Sequence, residues 1–473
     1  MMHFRSAKGS RRRGFTIVEL LVALALVIFI MSILSEAFVA ATNSFLTLKA
    51  IGDLDAGLRT VATMLRSDLA ADHFGTGTPL SQIHLSITSS AGAPTMGFFR
   101  IYQGSHPVEL ASATPTSMYI DEGTDADGIH SYIARDHMLH FSVNLGQTNP
   151  YVSDQNRMPA FFSALVPPNV PINNPVADYS PPAYMDPNGV TMYSHWAEVA
   201  WFLRYNGTTA NGTPLFNLYR RQMALVPTTA GPVLDGTTSG SIVSAAAPPT
   251  GYPPATYYPE VSCITDPATT GLRAGQIYFN NNTTAFPDLT APIMRFGMAP
   301  PPETAGGNQY AGVLTATDAF AGTPAYPRFS DTPGVQNTLW GRDLVLTNVI
   351  SFDVKLSLGN GTVASPTSPL SLWSDQVNAG FMDLYDARLT PSVQSNPAFN
   401  QTNKPMVFDT WCTTSNPNPW TGTGYYNYTA WATAGADTTI PMTPPPIQAL
   451  QIVIRVWDPR TETTRQMTII QNM

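Results

Sequence analysis

The chain has 473 residues, of which only 12% are charged, together with 42 prolines and 34 glycines. That composition favours turns and neutral surfaces and argues against a charge-rich, mostly helical protein, while the length allows a sizeable core and two or three domains. The formal charge of -8 is uneven: Arg5, Lys8, Arg11, Arg12 and Arg13 crowd the opening, so the remainder is more acidic still. An acidic body repels nucleic acid, and binding to it by bulk electrostatics is disfavoured.

The basic opening runs into FTIVELLVALALVIFIMSIL, apolar from Phe15 to Leu34 except for Thr16, Glu19 and Ser32. Three readings fit this arrangement. A secretory signal peptide needs an apolar core of about 7–15 residues and a small-residue cleavage site, which Val39, Ala40 and Ala41 would supply, but the run is longer and carries a carboxylate near its start. A plain transmembrane anchor needs about 20 apolar residues, with the basic flank held in the cytoplasm. It leaves Glu19 unexplained, because an ionised acid in hydrocarbon costs about 2.5–3.5 kcal/mol.

The third reading supplies a partner for that acid. The segment Arg11-Arg12-Arg13-Gly14-Phe15-Thr16-Ile17-Val18-Glu19-Leu20-Leu21-Val22-Ala23 resembles the leader of type IV pilins and of type II secretion pseudopilins. The resemblance implies cleavage by a prepilin peptidase between Gly14 and Phe15, behind Arg12 and Arg13, and N-methylation of Phe15. It also implies that Glu19, fifth in the processed chain, pairs with the Phe15 amine of a neighbouring subunit. In low dielectric that attraction offsets the burial of both charges. The same resemblance implies a single-pass protein of the bacterial inner membrane with its body in the periplasm or on a surface filament. Its partners would be other pilins or pseudopilins and the peptidase.

Beyond Leu34, Phe38, Ala41, Phe45, Leu48, Ile51, Leu54, Leu58, Val61, Leu65 and Leu69 continue at 3-and-4 spacing, and no proline intervenes before Pro79. The spacing predicts one helix over 15–72, about 85–90 Å long. Residues 15–36 would span the membrane, and the amphipathic remainder would pack on a sheet. Where many pilins carry a kinking proline, this chain has Glu36; Gly52 and Gly57 are the weak points, each costing about 1 kcal/mol.

From residue 73 to 473 the pattern becomes short alternating runs, predicting strands near 83–88, 98–103, 129–145, 197–205, 215–226, 344–358, 449–457 and 462–470. In Ile350, Phe352, Val354, Leu356 and Leu358 every second residue is apolar, which predicts a half-buried strand with Ser351, Asp353, Lys355 and Ser357 facing away. Asp458-Pro459-Arg460-Thr461 predicts the turn of a closing hairpin, and Asn206-Gly207 with the short polar loop after it predicts the connection of another. Proline-rich stretches near 150–190, 227–260, 296–335 and 391–446 read as long surface insertions, with a separate subdomain in 227–335 left open. The expected fold is α+β: a long transmembrane-plus-amphipathic helix on an antiparallel β-rich domain of pilin type. Together with the leader, WFLRY at 201–205, LYRR at 218–221, NVISFDVK at 348–355 and IRVWDPR at 454–460 resemble the J-type pseudopilins and W-type minor pilins.

Chemistry-bearing motifs are sparse. There is no G-x-S-x-G, H-E-x-x-H, C-x-x-C or phosphate-binding G-x-x-x-x-G-K, so an enzyme is not expected. His195 and Glu198 lack the second histidine of a zinc helix. His130, His137 and His140 crowd one strand-like stretch, where 137 and 140 fall on opposite faces. Asp121, Asp125 and Asp127 lie in an acidic, glycine-containing run and are the candidate calcium ligands; no other cofactor is expected. Cys263 and Cys412 form a disulfide or stay as two thiols; the sequence leaves both open. The resemblance implies a minor pseudopilin that caps or initiates a secretion filament. The alternatives are a minor pilin of a surface pilus, serving adhesion, motility or DNA uptake, and a glycan-binding module on a pilin stem.

Overall fold

The computed structural model describes residues 16–83, 94, 96–105, 119–124, 130–135, 137–145, 162–165, 191–210, 212–225, 243–244, 260–265, 277–280, 289, 295, 343–358, 380–381, 405–410 and 446–473. The first element is α1 (Ile17–Leu69), 53 residues of uninterrupted helix. It passes through Glu36 without a break and carries both glycines. Gly57 lies against the sheet, where a Cβ would sit 3.4 Å from Leu346 Cδ1, whereas Gly52 faces open space. Helix α1 ends at Ala70, whose N–H returns to the Arg66 carbonyl. Asp72 then accepts the N–H groups of Phe74 (2.9 Å), Gly75 (3.0 Å) and Gly77 (3.2 Å), turning the chain away from the helix axis.

Fifteen strands follow among the described residues: β1 (Phe99–Ser105), β2 (Tyr119–Thr124), β3 (His130–Ala134), β4 (Met138–Asn144), β5 (Phe162–Leu165), β6 (Thr191–Ser194), β7 (Trp196–Ala210), β8 (Thr213–Ala224), β9 (Val243–Ser244), β10 (Cys263–Thr265), β11 (Ile277–Phe279), β12 (Leu344–Leu358), β13 (Pro405–Asp409), β14 (Ile447–Asp458) and β15 (Thr463–Asn472). Eight of them form one sheet in the order β13-β1-β4-β7-β8-β12-β14-β15, and every pairing in it is antiparallel. The fold is therefore the expected α+β arrangement of a long helix on an antiparallel sheet.

One face of the sheet holds the main core. Leu58, Val61, Leu65 and Leu69 of α1 pack with Phe99, Ile101, Leu139, Phe141, Val199, Trp201, Phe216, Leu218, Phe352, Val354, Ile452 and Ile454. The opposite face is covered too. Phe98, Trp196, Leu225 and Leu289 form one apolar cluster there, and Ile133, Leu215 and Ile350 form another. This corrects the half-buried reading of β12: Ser351, Asp353 and Lys355 are all buried, and only Ser357 keeps part of its surface.

The physical reason is that the sheet curls. Val354 N–H donates to His137 Nδ1 (3.1 Å), Gln103 Nε2 donates to the Val354 carbonyl (2.5 Å), and Ala134 N–H donates to Ser351 Oγ (2.9 Å). Side chains from β1 and from the β3–β4 junction thus satisfy the stretch of β12 that β8, paired only between Leu344 and Val349, leaves open.

Two further expectations shift. The run predicted at 129–145 is two strands, parted where Arg135 and His137 turn into the interior. The β7–β8 hairpin turns near Gly212, beyond Asn206-Gly207; Asn206 instead sits in a bulge, its Oδ1 accepting Thr208 N–H at 2.9 Å. The closing hairpin is as expected, with the Asp458 carboxylate accepting Arg460 N–H (2.9 Å) and the Thr461 hydroxyl (2.7 Å).

Candidate functional site: the amino-terminal helix and its seat on the sheet

Helix α1 opens with a reciprocal cap. Glu19 N–H donates to Thr16 Oγ1 (3.3 Å), and Glu19 Oε2 accepts both Thr16 N–H (2.9 Å) and the Thr16 hydroxyl (3.0 Å). Thr16-x-x-Glu19 is a capping box, legible in the sequence as a hydroxyl residue followed by an acid three positions later. In the single subunit Glu19 is therefore held by its own helix start, next to the position where Phe15 precedes Thr16. Phe15, Gly14, Arg12 and Arg13 lie outside the described residues.

Every residue from 17 to 49 is exposed, and the best apolar window in α1 has a mean hydropathy of 3.0. That surface extends about 50 Å, whereas a bilayer core is about 30 Å thick. The expectation that everything after the membrane segment docks on the sheet is corrected here: burial begins only at Ala50. The middle stretch, 35–49, carries Phe38, Val39, Phe45, Leu46 and Leu48 in the open, Phe38 at 74% and Leu48 at 69% exposure. Three of its hydroxyls bond back to the helix, with Thr42 donating to the Phe38 carbonyl (2.8 Å), Ser44 to Ala40 (2.9 Å) and Thr47 to Asn43 (2.9 Å). Away from Glu36, Asn43 and Lys49, the apolar side chains and self-bonded hydroxyls of this stretch can be buried against another helix at little polar cost.

The lower end of α1 is seated by a charge. Asp68, buried in the last turn, accepts Arg220 Nε and Nη2 (both 2.7 Å) and Trp201 Nε1 (2.8 Å). One turn on, the buried His73 ring lies between the carbonyls of Ser142 (Nδ1, 2.8 Å) and Leu69 (Nε2, 3.3 Å), edge-on to Phe99 and Phe141. Burial pushes the His73 imidazole below its ordinary value; the Ser142 and Leu69 carbonyls and the charges of Asp72 and Asp68 oppose that.

On the far face, His140 Nε2 meets Glu198 Oε1 at 2.7 Å, Ser262 donates to Glu198 Oε2 at 2.5 Å, and Asn280 Nδ2 donates to Ser262 Oγ at 2.7 Å. Arg295 pairs with Asp409 and stacks 3.9 Å over Phe98. Burial drives His140 down; the bond to Glu198 and that residue's charge resist, while Arg100 and Arg295 reinforce the shift. This network fastens Ser262, Asn280 and Arg295 to the sheet. His137 and His140 serve different partners, Val354 and Glu198. His195 precedes β7 and is buried, and His130 begins β3. Asp121 belongs to β2 and Cys263 to β10, while Asp125, Asp127 and Cys412 lie outside the described residues. Among the described residues, no three His, Cys, Asp or Glu side chains gather as metal ligands would. The seat formed by Asp68, Arg220 and Trp201 carried no sequence signal, because its members lie far apart in the chain.

Residues 9–35 match the family model of the prokaryotic N-terminal methylation motif. No curated protein and no solved structure matches the chain. The motif, together with the apolar helix, supports a type IV pilin-like, membrane-anchored, single-pass protein built as a structural subunit.

Proposed function

We propose that this chain is a minor pseudopilin: a non-enzymatic subunit that joins, and caps or initiates, the periplasmic filament of a type II secretion system. The observation that carries the reading is the exposed surface of residues 17–49, longer than a bilayer core, apolar through Leu34 apart from Glu19 and Ser32, and still carrying open Phe38, Phe45 and Leu48 beyond it. Lipid accounts for about the first 20 residues; neighbouring pilin helices account for the rest. The matched methylation motif supports the same reading. Processing would free the Phe15 amine beside Glu19. On assembly, Glu19 would exchange its bonds to Thr16 for the amine of an adjoining subunit, an ion pair in low dielectric that recruits one protomer to the next.

Two substitutions separate the roles of Glu19. Glu19→Gln keeps a capping-box residue but removes the charge, whereas Glu19→Ala removes both. Incorporation into filaments, read by co-purification with sister subunits, is expected to fail in both, with membrane insertion unchanged. Normal incorporation of Glu19→Ala would refute the pairing. Secretion of a cargo enzyme that stops on deletion of the gene, with the protein confined to the periplasm, is the expected outcome for a secretion filament. Surface exposure on a shed fibre would overturn it.

A further inference from the structure

The two edges of the eight-stranded sheet are built differently. Strand β13 has five residues and opens on Pro405, and its pairing with β1 is broken by an irregularity between Tyr102 and Ser105. Shortness, proline and bulges are the devices that blunt an edge. Strand β15 has none of them. It runs ten residues without proline, pairs with β14 in unbroken register from Asp458↔Thr463 to Ala449↔Asn472, and has Arg465 as its one charged side chain.

The hydrogen bond from Met473 N–H to the Gln448 carbonyl (2.9 Å) sets the alternation. Odd-numbered residues of β15 bond to β14, and Thr464, Gln466, Thr468 and Ile470 turn their N–H and C=O groups outward. Among the described residues no strand takes those groups. The same four side chains are exposed, Ile470 by 52%. The hairpin is close to charge-balanced, unlike the acidic chain as a whole. Arg455, Arg460 and Arg465 stand against Asp458 and Glu462, and the Asp458 carboxylate is occupied by its own turn, while the whole chain is -8. Finally, the docked end of α1 touches β12, β14 and β15, so this edge adjoins the helix whose upper surface is open for assembly.

We infer that β15 is a strand-addition edge, which receives an extended strand from the globular part of an adjacent, different pilin-like subunit. The sheet then continues across the subunit boundary beside the packed helices, with main-chain bonds giving affinity and the Thr464/Thr468/Ile470 row setting register. This rests on the filament reading above, since it is helix packing that brings a second body alongside.

The test uses the full-length chain in its native membrane, with a photo-crosslinking residue at Ile470. The expected product is a covalent pair with another pilin-like subunit, joined through an extended segment. Thr468→Pro removes one outward N–H and leaves the β14 ladder intact, so it is expected to cut the product at least fivefold without changing the melting temperature. Thr468→Val is expected to leave it unchanged. Should the proline variant lose stability, Thr464→Lys with Thr468→Lys replaces it, and the same fivefold loss is expected. A crosslink to a second copy of this chain, to an unrelated protein or to nothing overturns the inference. So does full incorporation of the edge variants where Glu19→Ala is excluded, a result that leaves the filament reading standing. Incorporation of Glu19→Ala would sink the filament reading itself.

Discussion

One oxygen of Asp68 accepts both Trp201 Nε1, at 2.8 Å, and Arg220 Nε, at 2.7 Å, joining the last turn of α1 to neighbouring strands β7 and β8. An acid in the last turn opposes the helix dipole, and this one is also buried. It is tolerated because Arg220 closes on both carboxylate oxygens in a two-pronged, charge-assisted pair.

Breaking that pair from one side should cost more than deleting it. Arg220→Met leaves a buried carboxylate with only the indole, and is expected to lower unfolding free energy by about 3 kcal/mol. Asp68→Leu combined with Arg220→Met is expected to lose clearly less than the sum of the single substitutions. Urea unfolding of the four proteins of the cycle measures the coupling; additive losses would mean that Asp68 and Arg220 act independently.

A second prediction concerns acid stability around β12. Burial, with Lys355 nearby, drives His137 down to about 3, consistent with Nδ1 accepting Val354 N–H. Burial raises Asp353 to about 6, against the pull of Lys355 and Arg455. The signs are opposite. The stability contributed by neutral His137 is present above about pH 6.5 and is lost as pH falls toward 3. Asp353 binds its proton more tightly in the folded chain, so it gains stability as pH falls from about 6 to 4. Over that interval the two slopes offset each other, each amounting to about 1.4 kcal/mol per pH unit. Asp353→Asn removes the offset, and its urea midpoint is expected to fall more steeply than the parent's between pH 6 and 4. Equal slopes would show that Asp353 does not titrate there.

How much of this was legible beforehand depends on where each partner lies in the chain. The helix was readable because its determinants are local: apolar 3-and-4 spacing and no proline from Phe15 to Pro79. The hairpins of β7–β8 and β14–β15 were readable for the same reason, apart from the turn of the first. The second face of β12 was not. Ser351, Asp353 and Lys355 alternate with apolar residues as solvent-facing ones do, yet Ser351 meets Ala134, Asp353 meets His137, and Lys355 lies 3.7 Å from Asp353. Polarity marks a need for partners, and only the fold decides whether water or protein supplies them. Asp68 is a like case, a carboxylate beside apolar Leu69 whose partners Trp201 and Arg220 lie far along the chain.

The two glycines of α1 make a third prediction. A Cβ at Gly52 meets nothing within 4 Å, whereas one at Gly57 meets Leu346 Cδ1 at 3.4 Å. Gly52→Ala is expected to stabilise the helix by about 1 kcal/mol, read as slower hydrogen exchange of the amides around residues 50–60 in the isolated subunit. Gly57→Ala should gain less, because Leu346 must adjust. An equal gain at both positions would mean that the helix does not press on β12.

Gly97 is the position least open to substitution. Its φ is +68°, and a Cβ there would strike the His73 carbonyl and come within 2.5 Å of Ser142 Oγ. That hydroxyl donates to the same His73 carbonyl at 2.7 Å and accepts Phe98 N–H at 2.8 Å, tying the exit of α1 to β1 and β4. Gly97→Ala therefore combines left-handed strain of about 1–2 kcal/mol with displacement of buried hydrogen bonds worth about 1 kcal/mol each. The expected result is a loss of about 3 kcal/mol or more in urea unfolding, with the membrane helix still inserted. Ser142→Ala, which opens space for the methyl group but removes the bridging hydroxyl, is expected to rescue only part of it. Full stability of Gly97→Ala would mean that the exit of α1 is not held at this point.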